Sequence, residues 1–139
     1  MNVDFAFLAE AAETINGKLY LIGGAIDTIW TETLPIVYPR LSFVMRLLFS
    51  LTEIGRAHHI ELNLMNEDGK VLARVSGDIH VSRNPQVPGD WEQGFLAVLN
   101  FAGLTFERFG EYRFELVADH VNLHSSRLHI AQQVQPRSN

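Results

Sequence analysis

A chain of 139 residues, 47% hydrophobic and 19% charged, has the length of one domain and enough apolar material for a core burying roughly 68–70% of the unfolded surface. Its 16 acidic and 11 basic residues leave a net charge of −5, and the basic ones stand singly (Lys18, Arg40, Arg46, Arg56, Lys70, Arg74 and onward), without the clustered positive charge that displaces counterions from nucleic acid. The absence of cysteine excludes disulfides, thiolate metal sites and cysteine nucleophiles.

In chain order, the opening Met1-Asn2-Val3-Asp4 lacks the positive flank of a secretory signal. Period-two alternation then dominates, and no segment has the pattern of a long amphipathic helix. Asn16-Gly17 is a hairpin signal between strands over 3–15 and 18–30, because both central residues of a type I′ turn need positive φ. Gly23-Gly24 inside the second run marks a bulge or a close backbone approach. Proline-bearing loops are expected over 31–39 and 82–90.

The clearest strand is 41–51, whose odd positions Leu41, Phe43, Met45, Leu47, Phe49 and Leu51 are all apolar and should face a core. After a short polar turn at 52–56, Asp68-Gly69 joins strands 57–67 and 70–81. A two-residue turn sets Leu64 opposite Ala73, Leu62 opposite Val75 and Ile60 opposite Gly77, so that both apolar sets share one face. The longest uncharged run, 93–106, falls short of the roughly 20 residues that span a bilayer. A strand is expected over 92–101, and a last hairpin, 111–118 with 121–130, turns at Asp119-His120. Side-chain parity changes between Leu123 and Leu128, which places a bulge near Ser125-Ser126.

These elements predict an all-β fold, an antiparallel Greek-key β-sandwich of about seven to eight strands. It forms one domain over 1–134, followed by a polar tail at 135–139. Phe109-Gly110-Glu111-Tyr112-Arg113-Phe114 is similar to the tyrosine corner of immunoglobulin-like domains, where the hydroxyl ties down the preceding loop. The opening 5–12 segment, Asn16-Gly17-Lys18-Leu19-Tyr20-Leu21-Ile22-Gly23-Gly24, the Asn66-Glu67-Asp68-Gly69 turn and the Gly110-Glu111-Tyr112-Arg113-Phe114 strand start together resemble a family of small bacterial β-sandwich proteins of unknown function. The resemblance implies the fold and a bacterial origin. Its motifs are turns and strand starts, so it brings no functional residues.

No Gly-x-Ser-x-Gly elbow, phosphate-cradling glycine loop or His-Glu-x-x-His occurs, and nothing reads as an enzyme active site or calls for a cofactor. Three residue sets remain. His59, Glu61, Asp78 and His80 share a face of the 57–81 hairpin; two imidazoles and two carboxylates suit zinc, iron or manganese, while a solvated polar face explains the same pattern. Trp30, Tyr38 and Trp91 lie at strand ends or in loops, where a sandwich carries a sugar-binding groove if they converge, or else they cap the core. Val44, Leu48, Met65 and Leu72 are apolar at outward positions, a face covered by loops or by another subunit. His58 falls on the core side of its strand as a packed, hydrogen-bonded residue, and His120, His124 and His129 read as surface residues. The sequence therefore favours a cytoplasmic, non-enzymatic sandwich that binds a protein partner or itself as a homo-oligomer, without nucleic acid or membrane. A metal-dependent enzyme or a sugar-binding module are the alternatives.

Overall fold

Alternation along the chain is realised as nine strands in the computed structural model, which describes residues 1–134. They are β1 (Asn2–Ile15), β2 (Lys18–Gly24), β3 (Thr28–Thr31), β4 (Ile36–Phe49), β5 (Ala57–Met65), β6 (Val71–His80), β7 (Gln93–Phe106), β8 (Gly110–Ala118) and β9 (Val121–Gln132). A four-stranded sheet has the order β2-β1-β4-β7 and a five-stranded sheet the order β3-β9-β8-β5-β6. The all-β sandwich expected from the pattern is therefore the fold, with two differences: nine strands rather than seven or eight, and one parallel pair, β3 with β9. The polar tail expected at 135–139 lies outside the described residues.

The extra strand arises where the sequence suggested one run over 18–30. Gly23 and Ala25 adopt φ of +63° and +59°, which ends β2 in one sheet and sends the chain to the other as β3. A Cβ at Gly23 would meet only the exposed Glu10 side chain, which can swing aside, so it is the positive φ that calls for glycine there. The expected loop over 31–39 is shorter than predicted, since β4 already begins at Ile36. Pro39 sits within that strand between the pairs Tyr38↔Leu104 and Arg40↔Ala102. Side-chain parity switches there, from Ile36 and Tyr38 packed on the core to buried Leu41 and Phe43.

Both faces that meet are apolar for the reason the alternation gave. Leu41, Phe43, Met45, Leu47 and Phe49 are buried against Leu62, Leu64, Phe114, Leu116 and Leu128 of the other sheet; Leu51 lies past the strand end and is exposed. The β5–β6 register is the predicted one, Leu64↔Ala73, Leu62↔Val75, Ile60↔Gly77 and His59↔Asp78, until a bulge pairs Met65 with Val71 instead of Leu72. At the start of β8 the Tyr112 hydroxyl donates to the Arg108 carbonyl at 2.8 Å, so the tyrosine corner is present. The bulge in the last strand falls at Leu123, between the pairs Leu116↔His124 and Val117↔Asn122, rather than at Ser125-Ser126.

In the immunoglobulin nomenclature, β9-β8-β5-β6 follows the order G-F-C-C′ and β1-β4-β7 the order A-B-E. The segment between β6 and β7, where that order would supply strand D, forms no strand here. The four-stranded sheet therefore ends at β7.

Candidate functional site

The outer face of the five-stranded sheet is ionic and internally paired. His59 Nδ1 lies 2.9 Å from Asp78 Oδ1. Glu61, two residues along the same strand, instead faces Arg74 at 3.4 Å, which also donates to Asn63 Oδ1 at 2.7 Å. His80 pairs across the ladder with Ala57. The four expected metal candidates thus share a face, as predicted, but only His59 and Asp78 meet. Among the described residues no group of three or more His, Asp or Glu side chains is placed to hold a metal ion. Arg113 and Arg127 stand directly opposite each other, an unfavourable like-charge pair that Glu111 neutralises from 3.5 and 2.8 Å.

Trp30, Tyr38 and Trp91 do not converge. Trp30 is on β3 and Tyr38 on β4 opposite Leu104, whereas Trp91 lies two residues before β7, whose first residue Gln93 pairs with Phe49 at the far end of β4. The eleven steps from Tyr38 to Phe49 span about 36 Å at ~3.3 Å per residue, too far for one sugar-sized groove. Both tryptophans are exposed at 62%. Burial, with the Glu10 carboxylate nearby, raises the Tyr38 hydroxyl pKa above its ordinary value.

The four expected interface residues also divide between sheets. Met65 and Leu72 belong to the β5–β6 hairpin, Val44 and Leu48 to β4. Val44 is fully buried, in a second hydrophobic cluster with Ala9 and Ala12 that is flanked by Phe5, Phe7, Leu19 and Val98. The register explains this cluster: Phe7↔Val44↔Val98 and Ala9↔Ser42↔Asn100 form rows across β1, β4 and β7 on the side opposite Phe43 and Met45. Its neighbours on that side include Phe5, Leu48 and Leu96, and Leu21, which pairs with buried Ala12 and is exposed at 38%. The polar groups among them are paired, Ser42 to Asn100 at 2.6 Å and Arg46 with Asp4 at 3.6 Å. The four-stranded sheet therefore has an apolar outer face, and the five-stranded sheet an ionic one.

One polar cluster was not anticipated as a unit. His58 is buried on the core side of β5, as its parity suggested. Its Nδ1–H donates to Asp119 Oδ2 at 2.6 Å and its Nε2–H to the Glu53 carbonyl at 2.7 Å. Both partners only accept, so the ring is an imidazolium; the Glu53 carbonyl bond, then the Asp119 bond, raise its pKa. Asp119 is held below its ordinary value by that histidine and by the His59 backbone N–H. Burial alone would raise Glu53, but the Met1 α-amino group at 2.5 Å and the Ser50 amide and hydroxyl outweigh it and lower the carboxyl to about 2. With both ring nitrogens committed, His58 has none left to act as a base or ligand. The cluster ties three chain segments together. A turn signal was legible at Asp119-His120, whose φ values are +48° and +67°, but nothing local announced its partner 61 residues away.

A recess of about 530 Å³ lies between the 66–70 and 107–110 turns. Two of its carboxylates are engaged: Glu67 accepts from the Glu111 amide at 2.7 Å, and Asp68 faces Arg108 at 3.5 Å. Among the described residues no helix is long and apolar enough to cross a membrane.

The geometry defines a small two-sheet β-sandwich whose distinctive surface is a sheet face rather than a cleft. The chain belongs to a family of unknown function (DUF6941), whose model matches residues 4–131. No curated protein matches it.

Proposed function

We propose that the protein is a non-enzymatic module acting through protein–protein contact, in the first place with a second copy of itself through the outer face of its four-stranded sheet. The observation that carries this reading is the contrast between the two outer faces. A sheet face in water normally alternates apolar-in with polar-out, and the five-stranded sheet does so. Phe5, Phe7, Leu21, Leu48, Leu96 and Val98 break that rule on the other sheet, in a contiguous patch that favours a covered surface.

Self-association fits the charge. In a twofold contact the same patch meets itself, and here Arg46 is offset by Asp4, so no net charge is opposed to its own copy. It also fits the area. Four strands about 4.8 Å apart over a seven-residue stretch give roughly 440 Å² per copy, or about 900 Å² for two, close to the ~1,000 Å² of a specific interface. A cytoplasmic setting accords with a chain that has no cysteine.

Light scattering over a wide concentration range tests the reading. The wild type should exceed its 15.7 kDa monomer mass. Leu48→Arg combined with Leu21→Lys should weaken association at least tenfold with unchanged circular dichroism. A wild type that stays monomeric throughout would end the proposal.

A further inference from the structure

The sandwich has four sheet edges, and three are blunted in the ways that prevent edge-to-edge pairing. β3 has only 4 residues. β6 carries Arg74, Asp78 and His80. β2 has 7 residues, begins with Lys18 and carries the positive-φ Gly23 next to its last residue. β7 has none of these protections: it is 14 residues long, without a charged residue or proline, and no strand pairs with its outer edge among the described residues. Over 95–99 it reads Phe-Leu-Ala-Val-Leu, five apolar residues in succession, each only half-buried. A continuous apolar run is the signature of a strand covered on both faces and flanked on both sides, yet here it lies at an edge. The strand D that the immunoglobulin order would set beside it is the strand this chain lacks.

We infer that β7 of a second copy fills this position, the two strands pairing antiparallel about a twofold axis at Ala97 to make one continuous eight-stranded sheet. The regular part of β7, Gln93 to Ala102 in its pairing with β4, is centred on residues 97–98. With the axis at Ala97, Leu96 meets Val98 of the copy and Phe95 meets Leu99, apolar pairs of the kind that stabilise adjacent strands. A strand without charge opposes no like charge to itself, whereas β6 would. The contact is distinct from the face proposed above. Together the two twofold contacts give a dimer of dimers.

Because the chain has no cysteine, Ala97→Cys provides a single reporter on the inward side of the sheet, which stacking of the outer faces does not bring near its copy. Under mild oxidation more than half of the chain should become a disulfide-linked dimer, while Ile22→Cys at the opposite edge should not. Ala97→Lys, which places two ammonium groups on the axis, should weaken the edge contact at least tenfold and leave the face contact. An assembly that survives Ala97→Lys at full mass, with no Ala97→Cys dimer, overturns the edge inference while the face reading stands. Loss of association only in the Leu48→Arg and Leu21→Lys variant has the same meaning. Mixed disulfides to another polypeptide, with no homodimer, would assign the edge to a foreign strand and also overturn it.

Discussion

His58 and Asp119 act as a pH-dependent clasp, and the sign follows from the two shifts. The histidine pKa is raised in the fold, so its contribution is complete below about 6.5, the ordinary histidine value, and is lost as pH rises through the folded value. The aspartate pKa is lowered, so its contribution is present above about 3.9 and is lost as pH falls through the folded value. The pair should stabilise most between those limits. Glu53 adds a term that disappears between 4.5 and about 2. Asp119→Asn keeps a residue that tolerates positive φ and removes the charge. The Asp119 side chain is 47% exposed and thus screened, so the expected cost is about 1–2 kcal/mol near pH 6. Thermal melts from pH 4 to 9 check it: the gap between wild type and variant should narrow toward high pH, and a constant gap would refute the clasp. The sequence placed His58 correctly on the core side, because parity is local. Its partners are set by where the 50–56 and 118–121 turns meet in space, which no neighbour in the chain encodes.

At the scale of elements, the tyrosine corner and the β5–β6 register carry separate predictions. Tyr112→Phe removes one neutral hydrogen bond to Arg108 and keeps the ring against Phe106 at 4.9 Å; it should cost about 0.5–1.5 kcal/mol in denaturant melts without changing the fold. Leu62→Ala empties a site between the sheets that is fully buried and should cost about 2–5 kcal/mol. A cost below 1 kcal/mol would mean that Leu62 is not in the core. Both features were readable because hairpin register follows from a two-residue turn and alternation. Asn63, on the polar side of β5 opposite Arg74, is buried beneath that arginine, since a long arginine stem can cover its cross-strand neighbour. The split of 18–30 into β2 and β3 was less legible. A glycine pair signals irregularity, but whether the chain bulges or changes sheet depends on which edge is free to receive it, here β9 through a parallel pair.

For the whole molecule, the asymmetry between the two sheets bears on stability as well as on assembly. The sequence flagged Val44 and Leu48 as outward apolar residues, yet assigned Met65 and Leu72 to the same patch, because outward parity does not reveal which sheet a strand joins. With the strands sorted, the apolar surplus lies on one sheet. Any contact there is made by the folded chain alone, since an unfolded chain has neither a continuous sheet face nor a paired edge. Association must therefore stabilise the fold by mass action. Working at about one hundred times the dissociation constant should add about 2.7 kcal/mol relative to the isolated monomer. For a domain of this size that corresponds to a Tm increase of roughly 5–10 °C. The melting temperature of the wild type should thus climb with protein concentration, whereas the Leu48→Arg and Leu21→Lys variant and Ala97→Lys should each show a shallower climb, and the three changes combined should give a flat line at the monomer value. Calorimetry over a hundredfold concentration range measures this without knowledge of any partner. A wild-type Tm independent of concentration would mean that neither the face nor the β7 edge joins copies of this chain, and that its apolar sheet is exposed for some other protein to cover.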